Sequence, residues 1–209
     1  MSAPHPLLYL SQADASALLT WPDVIACLAE AYGRDDDPRA APPKVVARRD
    51  GMWLRALTAI SADGGMMGAK IIAKGRPRPA DHLTALWDSE TAELACLIEA
   101  KTVTAMRTAG TSAVAIDRIA QPGPLRVAVL GSGREAATHV SATAAVRTIG
   151  ALSVYSPTRE NREAFARRFS AELGIDCCAA DDPQAAADGA NLILATARSH
   201  DESPTLQGA

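Results

Sequence analysis

The chain has 209 residues, 48% of them hydrophobic and 22% charged, with a formal net charge of −3. That is globular composition without disordered or fibrous bias; no basic stripe carries interleaved aromatics, which argues against nucleic acid as a partner, and no apolar run reaches the roughly 20 residues of a membrane helix. The four cysteines (Cys27, Cys96, Cys177, Cys178) form no CxxC pair and read as buried thiols, and MSAPHPLLYL lacks the basic and apolar regions of a signal peptide, so the expectation is a cytoplasmic protein.

Ser11 and Asp14 stand three apart, as in a capping box, before a short helix. Thr20, followed by Trp21-Pro22, opens a second helix, with Val24, Ile25, Leu28 and Tyr32 on one face and Gly33 as its stop. After the polar loop RDDDPRAAPP come four strand-like runs, KVVARR, MWLRALTAI, GAKIIAKG and LTALWD. They are separated by Asp50-Gly51, by Asp63-Gly64-Gly65 and by Gly75 to Pro79, and read as an antiparallel meander. A helix is expected from about Thr102 to Ala120, and QPGP then marks a boundary between a domain at 1–121 and another at 122–209. From there strands alternate with helices: RVAVL, REAATHVSATAAVRTI, LSVYS, ENREAFARRFSAEL, DCCAA, DPQAAADGA and NLILATA. That alternation implies a parallel sheet with right-handed crossovers, so the fold class is α/β.

The turn after RVAVL reads Gly131-Ser132-Gly133-Arg134-Glu135-Ala136, a GxGxxA motif between a strand and a helix. The first glycine permits a tight turn and the second lets the backbone approach a pyrophosphate. The small third residue lets the helix pack on its strand, and the helix-opening N–H groups face the phosphates. At the end of the next strand, where NAD-preferring sites carry a carboxylate, the chain has Ser156, Thr158 and Arg159. A missing carboxylate and an available guanidinium point to NADP(H) over NAD(H), with NAD(H) the alternative. His5, His82, His139 and His200 are scattered without ligand spacing, no GxSxG turn is present, and no metal is expected.

The segments Ala69-Lys70, Leu86 to Ala92 and Thr104-Ala105-Met106-Arg107-Thr108-Ala109-Gly110, in this order before GxGxxA, resemble the ornithine cyclodeaminase/mu-crystallin family from about residue 8 to residue 205. The resemblance implies an α+β substrate and dimerisation domain followed by a Rossmann domain, and hence a homodimer. It implies that Lys70 and Arg107 grip a substrate carboxylate with help from Lys44, while Gly131 to Ala136, Ser156, Thr158, Arg159 and Thr196 hold the cofactor. A guanidinium fork and an ammonium suit that task, since charge-assisted bonds fix the α-carbon toward the nicotinamide. Departures from the pattern are Lys44 in place of an arginine, which loses the fork, Ala92 and Gly110 in place of a glycine and an alanine, a shortened KGRPRPADHL, and Glu135 beside the phosphates.

The implied activity is a cyclodeaminase-like reaction on a small amino acid, in which hydride leaves the α-carbon to make an imine, the side-chain amine attacks it, ammonia leaves, and hydride returns to give a cyclic amino acid. Two alternatives stand beside it: an NADP-linked imine reductase or amino-acid dehydrogenase, and a non-catalytic cofactor binder of the mu-crystallin kind. The family's catalytic aspartate and last Rossmann strands would lie beyond SPTLQGA, so no catalytic acid or base is assigned. The expectation is a fragment or a natural truncation, poorly soluble alone.

Overall fold

The computed structural model describes residues 7–35, 37–77, 79–197 and 205–206. His5, His200, Asp36, Arg78 and most of SPTLQGA lie outside the described residues. The chain divides into two compact units, Met1–Ala105 and Met106–Ala209. The division falls within a long helix, ahead of the QPGP segment.

The first unit is built on a six-stranded mixed sheet. Its strands are β1 (Leu8–Leu10), β2 (Val45–Arg49), β3 (Met52–Ile60), β4 (Met66–Lys74), β5 (Asp81–Asp88) and β6 (Leu94–Glu99), in the order β1-β6-β5-β4-β3-β2. The expected meander is present as β2 to β5, all antiparallel. The sheet extends past it with β6, antiparallel to β5, and with β1, which joins β6 in parallel. Neither strand was expected.

Turn chemistry accounts for the connections. Asp50 and Gly51 both take positive φ, 50° and 76°, as a two-residue hairpin loop requires. Asp88 ends β5 and accepts from the backbone N–H groups of Glu90 and Thr91, which closes the loop to β6. Helices α1 (Gln12–Leu18) and α2 (Trp21–Tyr32) begin as expected. Ser11 and Asp14 form a complete capping box, and Thr20 accepts from Asp23 N–H ahead of Pro22. Gly33 ends α2.

The third helix, α3 (Lys101–Ile119), runs across the division between the units. Ala105, Ala109 and Ala113 recur every four residues and are all buried.

The second unit holds four parallel strands, β7 (Leu125–Leu130), β8 (Ile149–Tyr155), β9 (Asp176–Ala179) and β10 (Leu192–Ala195), in the order β10-β7-β8-β9. The helices are α4 (Arg134–Val146), α5 (Arg159–Leu173) and α6 (Pro183–Ala187). Apart from Arg126, all of β7 is buried, as expected for a strand covered on both faces. The core gathers Leu125, Val127 and Val129 with Val140 of α4, Leu152 and Val154 of β8, and Phe165 and Phe169 of α5.

Helix α4 is shorter than its sequence implied. It ends at Arg147, whose backbone is extended and whose guanidinium donates to the carbonyls of Ala120, Gln121 and Gly123 in the linker. Gly174 closes α5 in the left-handed conformation.

The cysteines depart from expectation. Cys96 is buried and Cys177 half-buried, but Cys27 and Cys178 are exposed. Strand alternation explains the difference between Cys177 and Cys178, since adjacent residues of β9 face opposite ways.

Candidate functional site: the glycine turn and the cationic strands

The glycine turn joins β7 to α4 in the second unit. Gly131 has φ +118°, and a Cβ there would lie 2.9 Å from Thr196 Oγ1 and 3.1 Å from the Ala197 nitrogen. The first glycine therefore permits a close approach between the turn and the segment after β10. Gly133 is different: a Cβ built on it meets nothing within 4 Å, and its φ of −84° is ordinary. It is the N-cap of α4, and no side chain caps that end. The opening N–H groups of a thirteen-residue helix thus face an open approach, with the positive end of the helix dipole behind them. Ala136 is 1% exposed and sits in the core, which is the close packing expected of the third small position. Arg134 and Glu135 are exposed on the first turn.

Several bonds brace the turn from within. Gly131 N–H donates to the Tyr155 carbonyl at 2.7 Å. Ser132 Oγ donates to Ser156 Oγ at 2.8 Å, and Ser156 Oγ donates in turn to the Thr158 carbonyl at 3.4 Å. Thr196 bonds to the Leu130 carbonyl through both its N–H and its hydroxyl, at 2.9 and 3.0 Å. Ser156 is buried, 6% exposed, so its hydroxyl braces the turn while Ser132 reaches over to it.

Beyond Ser156, Thr158 is the N-cap of α5 and makes no side-chain cap bond. Arg159 is exposed and pairs with Glu163 at 2.7 Å, one turn along. A residue the sequence reading passed over is Arg162. It is buried, donates to the Ser156 carbonyl at 3.1 Å and to Asp181 at 2.8 Å, and lies 5.8 Å from the centroid of the Tyr155 ring. It ties the end of β8 to the loop after β9. As one charge among several on an amphipathic helix, it gave no sequence signal.

In the first unit, Lys70 is half-buried on β4, opposite Leu57 of β3 and Thr84 of β5. Lys44 is exposed and stands one residue before β2. Continuing the β2–β3 register, in which Val45 faces Ala56, sets Lys44 in the row of Leu57 and Lys70. Arg107 is exposed on α3, within the second unit. His82 Nδ1 lies 3.1 Å from Thr104 Oγ1, joining β5 to the first turn of α3. Among the described residues no three His, Cys, Asp or Glu side chains are grouped as metal ligands, and no helix is long and apolar enough to cross a membrane.

A family model described as the ornithine cyclodeaminase/mu-crystallin family matches residues 22–209. The chain belongs to that family. Among curated relatives, it is 26% identical to a Delta(1)-pyrroline-2-carboxylate/Delta(1)-piperideine-2-carboxylate reductase of Azospirillum brasilense, over 82% of this chain and 57% of the relative. It is 32% identical to an L-lysine cyclodeaminase of Streptomyces rapamycinicus, over 48% of this chain and 30% of the relative. Its fold matches that of a Thermococcus litoralis Delta(1)-pyrroline-2-carboxylate reductase, solved in complex with NADH and L-proline. The TM-score is 0.79 at 22% identity, covering 90% of this chain and 61% of that one. The chain thus spans 57% of the length of the Azospirillum relative and 61% of the Thermococcus one.

Proposed function

We propose that this protein is a nicotinamide-dependent oxidoreductase that transfers hydride at the α-carbon of a small amino acid or cyclic imine. The observation that carries the reading is the uncapped start of α4 at Gly133, open to an incoming diphosphate, in a chain of this family. The amides of Ser132 to Glu135 would receive the diphosphate, and the nicotinamide supplies hydride chemistry when bound. Lys44, Lys70 and Arg107 are the residues assigned to the substrate carboxylate. Their part is to bind it by charge-assisted hydrogen bonds and so fix the α-carbon.

Reduction of an imine is the direction favoured by the likeness to the Azospirillum reductase, which covers most of the chain. A cyclodeaminase cycle is the second reading, favoured by the higher identity to the lysine enzyme. NADP(H) is the cofactor preferred in this proposal, because no carboxylate ends β8 and Arg159 stands at the start of α5. Its pairing with Glu163 means that a 2′-phosphate must draw the guanidinium away from that carboxylate. A homodimer and a cytoplasmic setting belong to the same proposal. The apolar residues Val45, Met52, Leu54 and Ile60, exposed on one face of β2 and β3, support the dimer, and four free thiols support the compartment.

The test is titration with NADPH and NADH, followed by turnover of Delta(1)-pyrroline-2-carboxylate. Stoichiometric loss of reduced-nicotinamide absorbance supports the reductase reading. Ammonia release from ornithine or lysine without net absorbance change supports the cyclodeaminase. Binding without either reaction points to a non-catalytic carrier, and absence of binding overturns the reading.

A further inference from the structure

Arg55 has no role in the site as assigned. It lies in the middle of β3, half-buried, and its Nε is a buried side-chain nitrogen without a hydrogen-bond partner among the described residues. A buried donor left unmet keeps the full cost of its lost hydration, and a charged group more so. The guanidinium carbon lies 5.2 Å from the centroid of the Trp53 ring, which attracts a cation but offers no lone pair to that N–H.

The strand register shows what surrounds it. Arg55 faces Ile72 of β4, so Lys70 and Lys74, two residues to either side of Ile72, are its diagonal neighbours on the same face of the sheet, roughly 7–8 Å away. Lys44, in the continued register of β2, is diagonal to it on the other side. Farther across the sheet, Ile72 faces His82 and Lys70 faces Thr84. The acid on this face of β5 is Asp88, beside Met66 at the far end, and its carboxylate accepts from Glu90, Thr91 N–H and the Thr91 hydroxyl. Asp81 and Glu99 are in register with Ala73 and Leu83 and so belong to the opposite face. Lys44, Lys70 and Lys74 are therefore grouped around Arg55 on one face of the sheet, an arrangement of charge that suits an anion.

We propose that Arg55 binds the carboxylate of the amino or imino acid together with Lys70. The inference rests on the functional reading above. The edge of the guanidinium formed by Nε and one Nη matches a carboxylate with two parallel bonds. That fork is what Lys44 lacks, and β3 supplies it one row away.

The test is calorimetric titration of the whole chain with L-proline in the presence of NADH, for the native protein, Arg55→Met and Arg55→Lys. Arg55→Met is expected to weaken L-proline binding by roughly tenfold or more, with NADH affinity unchanged. Its melting temperature should not fall, because a buried N–H without a hydrogen-bond partner is replaced by an apolar chain of similar length. Arg55→Lys should recover part of the affinity and carries the test if the methionine variant does not fold. Unchanged L-proline affinity in Arg55→Met overturns the inference. So does a native protein that binds NADH but not L-proline, although the cofactor reading would survive. L-proline binding that depends on Arg55 in a protein that ignores both nicotinamide cofactors would uphold the inference and defeat the functional reading.

Discussion

Gly131 and Gly133 stand two residues apart in one motif, yet they are glycines for different physical reasons. At Gly131 a side chain would strike Thr196 and the backbone beyond it, at a φ that L-residues avoid. Gly131→Ala should therefore lower stability by about 1–3 kcal/mol in denaturant unfolding. At Gly133 there is room and an ordinary backbone, so Gly133→Val should fold with a native-like melting curve. Its affinity for NADPH should fall by roughly tenfold or more, since the branched side chain occupies the approach to the α4 amides. Ala92 is a reverse case. It holds φ +58° where the family pattern has glycine, and Ala92→Gly should raise stability by about 0.5–1 kcal/mol, as left-handed strain is relieved and chain entropy takes back part of the gain. The thiols give a further check. Burial pushes Cys177 up to about 11 and raises Cys96 as well, so both remain protonated at neutral pH. Iodoacetamide at mildly alkaline pH should label Cys27 and Cys178 first, as read by peptide mass spectrometry.

Among the elements, β1 and α1 depend most on carboxylates. Glu99 accepts from the Tyr9 hydroxyl and from Gln12 N–H, both at 2.8 Å, and Asp14 closes the capping box with Ser11. These bonds hold both carboxyl groups below their ordinary pKa values. Their contribution to folding is complete above the usual carboxylate range, about 4, and is lost as pH falls through the lowered values. Hydrogen exchange measured at decreasing pH should show residues 8–18 losing protection before β3 and β4 do. Helix caps, the Asp50-Gly51 hairpin and the strand–helix alternation were legible in the sequence because each is a local signal. β1 was not, since its three residues owe their conformation to Cys96, Leu97 and Ile98, far along the chain. Arg55 and Arg162 were equally hidden. An arginine in a strand or on an amphipathic helix looks like a solvated charge until register or packing sets its neighbours.

At the scale of the molecule, the two units contrast in how they handle apolar surface. The second unit encloses nearly all of its large apolar side chains, Ile119 and Ile193 being the exposed exceptions among the described residues. In the first unit Val45 is 68% and Leu54 50% exposed, on the face of the sheet opposite Lys70 and Arg55. If that apolar face joins two copies, Leu54→Lys should shift sedimentation toward monomer without changing cofactor affinity, and an unchanged sedimentation profile would remove this face from consideration. The glycine turn has a consequence of another kind. Tyr155, Ser156 and Leu130 hold it in place through the protein's own bonds, so its amides are aimed before any nucleotide arrives. Docking there would freeze little additional backbone, and calorimetry should record association with only a small entropic penalty from ordering the chain.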